Sequence, residues 1–184
     1  MSKKELIVIM GGQGVGKGSL AKMLVDSYDF IHIETGALLR AMPPESEIYQ
    51  IITNGNLVPD NLLFDIISTK LNPKQNIILD GFPRKLSQAK WLLANYAEIY
   101  DIHVLYLYAD RELLIQRITK RADEENRTDD KCMDVINRRL NNFYTETMPA
   151  IDWLRDAPNI KFSEIDAKGN KAKNFKDAVK ALQL

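Results

Sequence analysis

The stretch IVIMGGQGVGKGSLAKML, residues 7–24, constrains the fold more than any other part of the chain. An apolar run, Leu6–Met10, is too short for a helix and breaks into four glycines within six positions. One lysine follows, and the sequence then turns amphipathic. Strand, tight loop and helix in immediate succession is the reading this pattern supports. Gly11, Gly16 and Lys17 fit the spacing G-x-x-x-x-G-K, in the strand-to-helix context the motif requires. Glycines let successive backbone N–H groups converge on an anion. The helix start adds free N–H groups and its dipole. Lys17 would bridge terminal phosphates and Ser19 would contact Mg²⁺, although Gly18 intervenes where the simplest pattern has the hydroxyl next to the lysine. The plainer alternative is a glycine-rich turn with a solvated lysine. The loop specifies a nucleotide phosphate and leaves the reaction open.

The rest of the chain repeats the alternation. Leu6–Met10, Ile31–Ile33, Asn76–Asp80, Ile102–Tyr108 and Ile160–Ile165 read as strands. Most are nearly continuous apolar runs, as expected of parallel strands covered on both faces. Helical patterns lie between them at Lys17–Ser27, Asn61–Lys70, Ser87–Asn95, Asp110–Lys120, Lys131–Trp153 and Asn174–Leu184. This order predicts an α/β sandwich around a five-stranded parallel sheet with right-handed crossovers. Two regions break it. Thr35–Asp65 carries short helices and no strand, like an inserted helical subdomain. Arg121–Lys131, RADEENRTDDK, has no apolar anchor and reads as a mobile surface loop.

With 184 residues the chain suits one domain with insertions. Its 25 Lys plus Arg balance 25 Asp plus Glu, so a general nucleic-acid binder is not expected and any anion site must be local. One cysteine, Cys132, excludes an internal disulfide and a cysteine-rich zinc site, and with no secretory signal it points to the cytoplasm. No run is long enough to span a membrane.

Two further stretches sit at strand ends, where open α/β sheets bind ligands. In LDGFPRKLSQ, Asp80 can hold a Mg²⁺-bound water, Arg84 can fork onto a phosphate, and Gln88 can read a base edge through its amide. A turn cap and a solvated charge are the alternatives for Asp80 and Arg84. In HIETGALLR, Thr35 supplies a hydroxyl and Arg40 a cation, while His32, like His103, reads as a packed strand residue.

Residues 11–19, HIETGALLR, GNLVPD (55–60), LDGFPR…Q (79–88), NRTDD (126–130) and RRL…T.P (138–149) follow the order and approximate spacing of the adenylate kinases. The resemblance runs along nearly the whole chain. It implies a P-loop NTPase three-layer sandwich and reversible Mg²⁺-dependent phosphoryl transfer from ATP to AMP, giving two ADP. It divides the chain into a core (1–34, 66–120, 132–184), a monophosphate-binding insert (35–65) and a short lid (121–131) without a structural zinc site. Gly14, Val15, Gly16, Lys17, Gly18 and Ser19 would bind ATP phosphates, joined by Arg117, Arg121 and the backbone near Asn170. Thr35, Arg40, Asn56, Leu57, Val58, Gly81, Phe82, Pro83, Arg84 and Gln88 would bind AMP. Lys17, Arg84, Arg117, Arg127 and one of Arg138 and Arg139 would act on the moving phosphoryl group. Counting forward from Arg127 points to Arg138. Counting back from Leu140, Thr147 and Pro149 points to Arg139, which helical continuity favours.

Elementary chemistry agrees with such use of arginines. Phosphoryl transfer needs positioning and charge neutralisation more than a general base. Water must be kept from the moving group, which gives a charged lid a purpose. The chain departs from the family at Gln13, where proline is usual, at Ser19 for threonine and at Ala37 for aspartate. Thr35 and Gln88 resemble AMP-specific members, with a UMP/CMP kinase as the near alternative. A non-catalytic P-loop protein and a P-loop kinase of a small non-nucleotide substrate are more distant. A monomer is expected, since one chain can enclose both nucleotides.

Overall fold

The structure is a computed structural model that describes residues 3–124 and 132–184, without the side chain of Asp123. Arg127 and the whole NRTDD segment therefore lie outside the described residues. Five parallel strands, β1 (Lys4–Met10), β2 (Ile31–Glu34), β3 (Ile77–Asp80), β4 (Tyr100–Tyr108) and β5 (Lys161–Asp166), form one sheet in the order β2-β3-β1-β4-β5. The central strand β1 is buried along Leu6–Met10 because its alternate side chains enter different cores. Leu6, Val8 and Met10 pack on one face with Leu63, Ile67, Ala89, Leu92, Ile151 and Leu154. Ile7 and Ile9 pack on the other with Leu20, Leu24, Leu114, Ile118, Ala178 and Leu182.

Helices α1 (Lys17–Ser27), α6 (Arg111–Glu124) and α9 (Lys171–Leu182) thus cover one face, and α4 (Asp60–Lys70), α5 (Leu86–Tyr96) and α8 (Met148–Arg155) cover the other. Short helices α2 (Thr35–Arg40) and α3 (Glu47–Thr53) precede α4, so the described chain between β2 and β3 is helical. Among the described residues no helix is long and apolar enough to cross a membrane.

Three boundaries differ from expectation, each for a local reason. Helix α6 runs through Glu124, into the segment read above as a loop. Ala122 is its missed anchor, only 2% exposed, and Lys120 and Glu124 pair one turn apart. Helix α9 starts at Lys171 because the Asn170 side chain accepts the Lys173 N–H at 2.9 Å as an N-cap. The long helix expected over Lys131–Trp153 is interrupted. Helix α7 (Met133–Asn142) is followed by a π-helical turn, Phe143–Thr147, and then α8. Pro149 has no N–H to continue the α ladder, and the Met148 N–H reaches back five residues to Phe143 O.

Candidate active site

All five strands end on one edge of the sheet, and the connections that follow them line a single cavity of about 1300 Å³. That volume exceeds the range of about 300–1,000 Å³ usual for one small ligand. The loop after β1 supplies its floor. Gly14 has φ +84°, and a Cβ there would stand 2.8 Å from the Leu114 carbonyl oxygen, so only glycine lets the loop press against α6. Lys17, a half-buried residue, opens α1, and its ammonium donates to the carbonyls of Gly11 at 2.9 Å and Gly12 at 3.2 Å.

The charge around Lys17 is arranged by tertiary contact. Desolvation lowers its pKa to about 8, with Asp80 and Glu34 opposing and Arg84 and Arg121 reinforcing the shift. Asp80, 4% exposed, ends β3 beside the loop, where a Cβ on Gly18 would come within 3.9 Å of its Oδ2. Its Oδ2 also stands 3.5 Å from His32 Nε2, because β2 and β3 pair with Glu34 opposite Asp80. The hydroxyl of Ser19 and the carboxylate of Asp80 line the same cavity, and hard oxygen donors of this kind suit a Mg²⁺ that keeps most of its water. Among the described residues no group of three or more His, Cys, Asp or Glu forms a protein cage for a metal. The pair therefore fits an ion that arrives with its phosphate ligands.

Arginines converge from three connections between strands. Arg84 is open to the cavity, and its Nε donates to Gly81 O at 2.8 Å. Gly81, at φ +86°, leaves room for this, since a Cβ would lie 3.2 Å from Arg84 Nη2. Limited hydration within the cleft lowers the Arg84 pKa, Asp80 opposes, and Arg139 and Arg40 lower it further. Arg40 is paired with Glu34 at 2.8 Å. Arg117, half-buried on α6, donates to Val15 O at 3.4 Å, Ala167 O at 2.8 Å and Gly169 O at 3.3 Å. It ties the phosphate loop to the β5–α9 turn. Arg121, one turn further on, lines the cavity as well.

The two arginines that counting along the sequence left in competition separate here. Arg139 is half-buried, lines the cavity and donates to Ile52 O at 3.0 Å. Arg138 is exposed, donates to Asn54 O at 2.6 Å, and is not among the cavity-lining residues. The Phe82 side chain also leaves the group. It is 1% exposed, edge-on to Phe64 and Trp91, and belongs to the core.

Thr35, Asn56, Leu57, Val58, Gly81, Pro83 and Gln88 line the other end of the cavity. The Gln88 amide is already engaged, its Oε1 accepting from the Arg84 N–H at 2.7 Å and its Nε2 donating to Asp60 at 2.9 Å. Base reading by Gln88 must use its second hydrogen and second lone pair.

Sequence reasoning missed three groups. Glu34, Thr147 and Asn174 also line the cavity. Thr147 donates to Arg84 O at 2.8 Å from within the π-turn. Thr147 stands in the RRL…T.P stretch and Glu34 in HIETGALLR, where neither was given a role, and no local pattern marks Asn174.

The family model described as Adenylate kinase matches residues 9–158. An adenylate kinase of Cyanothece sp. is 38% identical over 165 residues, 84% of this chain and 84% of its own. One from Phocaeicola vulgatus is 34% identical over 188 aligned positions, covering 96% of this chain and 97% of its own. One from Bacteroides thetaiotaomicron is 33% identical with the same coverage.

Proposed function

The chain belongs to the adenylate kinase family and catalyses phosphoryl transfer between ATP and AMP, and from that premise we propose how its residues divide the reaction. The observation that carries the reading is one cavity in which the phosphate loop faces Arg40, Arg84 and Arg139 across Lys17. ATP lies along Gly14–Ser19 with Arg117 and Arg121. AMP lies between Thr35, Arg40 and Arg84, under the 35–65 insert. Ser19, and Asp80 through water, would hold a Mg²⁺, which would supply neutralisation of the ATP phosphate charge. Lys17, Arg84 and Arg139 hold the transferring group and the flanking oxygens in line and stabilise the charge that spreads over it. No side chain needs to move a proton for this. Residues 125–131, with Arg127, fall outside the described part of the site. One chain lines both subsites, which supports a monomer. The single thiol, Cys132, is in keeping with a cytoplasmic enzyme, where thiols stay reduced.

A coupled assay over the nucleoside monophosphates tests the substrate assignment. AMP is expected to be the preferred acceptor, and preference for UMP or CMP would overturn it.

The low pKa of Lys17 has a kinetic signature. In the free protein its ammonium loses its proton as pH rises through about 8. An arriving triphosphate favours the charged form. Hence kcat/KM for ATP should fall above pH about 8, while kcat holds to higher pH, because the first reports the free enzyme and the second the complex. A kcat/KM profile flat to pH 10 would exclude Lys17 as the group concerned.

Glu34 competes with AMP for Arg40. Breaking a partly exposed ion pair is worth up to about 1 kcal/mol. Glu34→Gln should therefore lower the KM for AMP up to about fivefold, with little change in the KM for ATP. A raised KM for AMP would instead make Glu34 a positioning residue for Arg40.

A further inference from the structure

Helix α7 grips the end of the insert along one stripe of its surface. Val135, Arg138, Arg139 and Asn142 stand at i, i+3, i+4 and i+7, so they share a face. Arg138 donates to Asn54 O at 2.6 Å, Arg139 to Ile52 O at 3.0 Å and Asn142 to Gly55 O at 2.9 Å. These carbonyls belong to the C-terminal end of α3 and the turn after it. A helix end of this kind leaves acceptors without intrahelical partners and carries partial negative charge. Gly55, at φ +76°, lets the turn reach α7, since a Cβ there would stand 3.2 Å from both the carbonyl oxygen and Cγ1 of Val135. The turn also closes on itself, the Gly55 N–H donating to Ile52 O and the Asn56 N–H to Ile51 O.

Asn56, Leu57 and Val58 follow this turn directly and line the cavity, so the place where the turn is held decides where they stand. Arg138 is exposed and outside the cavity lining, and it acts on a ligand only through the Asn54 carbonyl. We propose that Arg138 is a positioning residue for the monophosphate acceptor: with Asn142 it latches the 52–55 turn onto α7 and presets the Asn56–Val58 backbone before the acceptor arrives. Order established in advance is order that binding need not impose. Arg139 also faces the cavity, so a phosphate competes with Ile52 O for its guanidinium, whereas the Arg138 bond lies outside that competition. The proposal rests on the placement of AMP under the insert.

The test compares the wild type with Arg138→Ala and Arg138→Lys, in steady-state kinetics and in amide hydrogen exchange of the free full chain. Loss of one charge-assisted hydrogen bond at an exposed position should raise the KM for AMP about fivefold in the alanine variant. The KM for ATP should stay within about twofold and kcat within about threefold, because only acceptor binding is touched. Exchange should quicken at the amides of residues 54–58 and stay unchanged in the sheet. Arg138→Lys, which keeps a cationic donor, should restore most of the AMP affinity. A residue that merely stabilised the fold would lower the melting temperature and quicken exchange throughout, without separating the two substrates. An AMP KM within about 1.5-fold of the wild type, an equal rise for ATP, unchanged exchange at 54–58, or a lysine variant as impaired as alanine overturns the proposal. The functional assignment fails separately, on absence of ATP:AMP turnover by the wild type, and the exchange measurement would still show whether Arg138 holds the turn.

Discussion

Lys17→Met is expected to lower kcat by at least about a hundredfold while leaving the melting temperature almost unchanged. Lys17 is the cation nearest the loop carbonyls of Gly11 and Gly12, and it lies within the electrostatic reach of Asp80, Arg84 and Arg121. Removing one preorganised donor aimed at developing charge costs about a hundred- to a thousandfold in rate. Its structural role is small. The ammonium contributes two hydrogen bonds to carbonyls of a loop already shaped by its glycines, and desolvation already disfavours its charge. Methionine fills similar volume without a buried charge, so the fold loses little. Steady-state kinetics with ATP and AMP, beside a thermal melt, separate the two effects. Turnover within about threefold of the wild type would falsify the central place given to Lys17, and would revive a nucleotide-binding protein whose loop does no chemistry.

The second large effect distinguishes adjacent arginines. Arg139→Ala is expected to reduce kcat about a hundredfold, and Arg138→Ala less than about threefold. Arg139 lines the cavity and acts electrostatically on Arg84, whereas Arg138 is exposed and bonds Asn54 O on the far side of the same turn. Both side chains hold the 52–55 segment through carbonyls, so a purely structural role predicts similar losses from either substitution. A difference confined to kcat assigns Arg139 to the charge on the moving phosphoryl group. Equal losses in the two variants would move the effect to the docking of α7 on the insert.

Part of this site was legible along the chain because its parts are contiguous. The phosphate loop, the DGFPR segment and the strand before each occupy short runs, and their glycines, cations and apolar residues report local geometry directly. Arg138 and Arg139 show where such reading stops. Neighbouring residues on a helix point about 100° apart, so the choice between them depends on how α7 is rotated against the insert. That rotation follows from Ile136 and Leu140 entering the core, and from the π-turn that resets the register before Pro149. The roles of Glu34 and Asn174 were not legible for a related reason. Each is an ordinary polar residue in its own segment, and only strand pairing and the seating of α9 bring them to the cavity wall.

By itself the sequence determined the alternation of buried strands and amphipathic helices, the anion-binding loop and the supply of arginines, since periodicity and glycine placement are local properties of a chain. The tertiary structure alone decided which arginines face one another, that Glu34 restrains Arg40, and that the Asn174 Oδ1 is buried with no hydrogen-bond partner among the described residues. Those are distances between segments far apart in the chain, set by the order of strands in the sheet and by how each helix packs upon it.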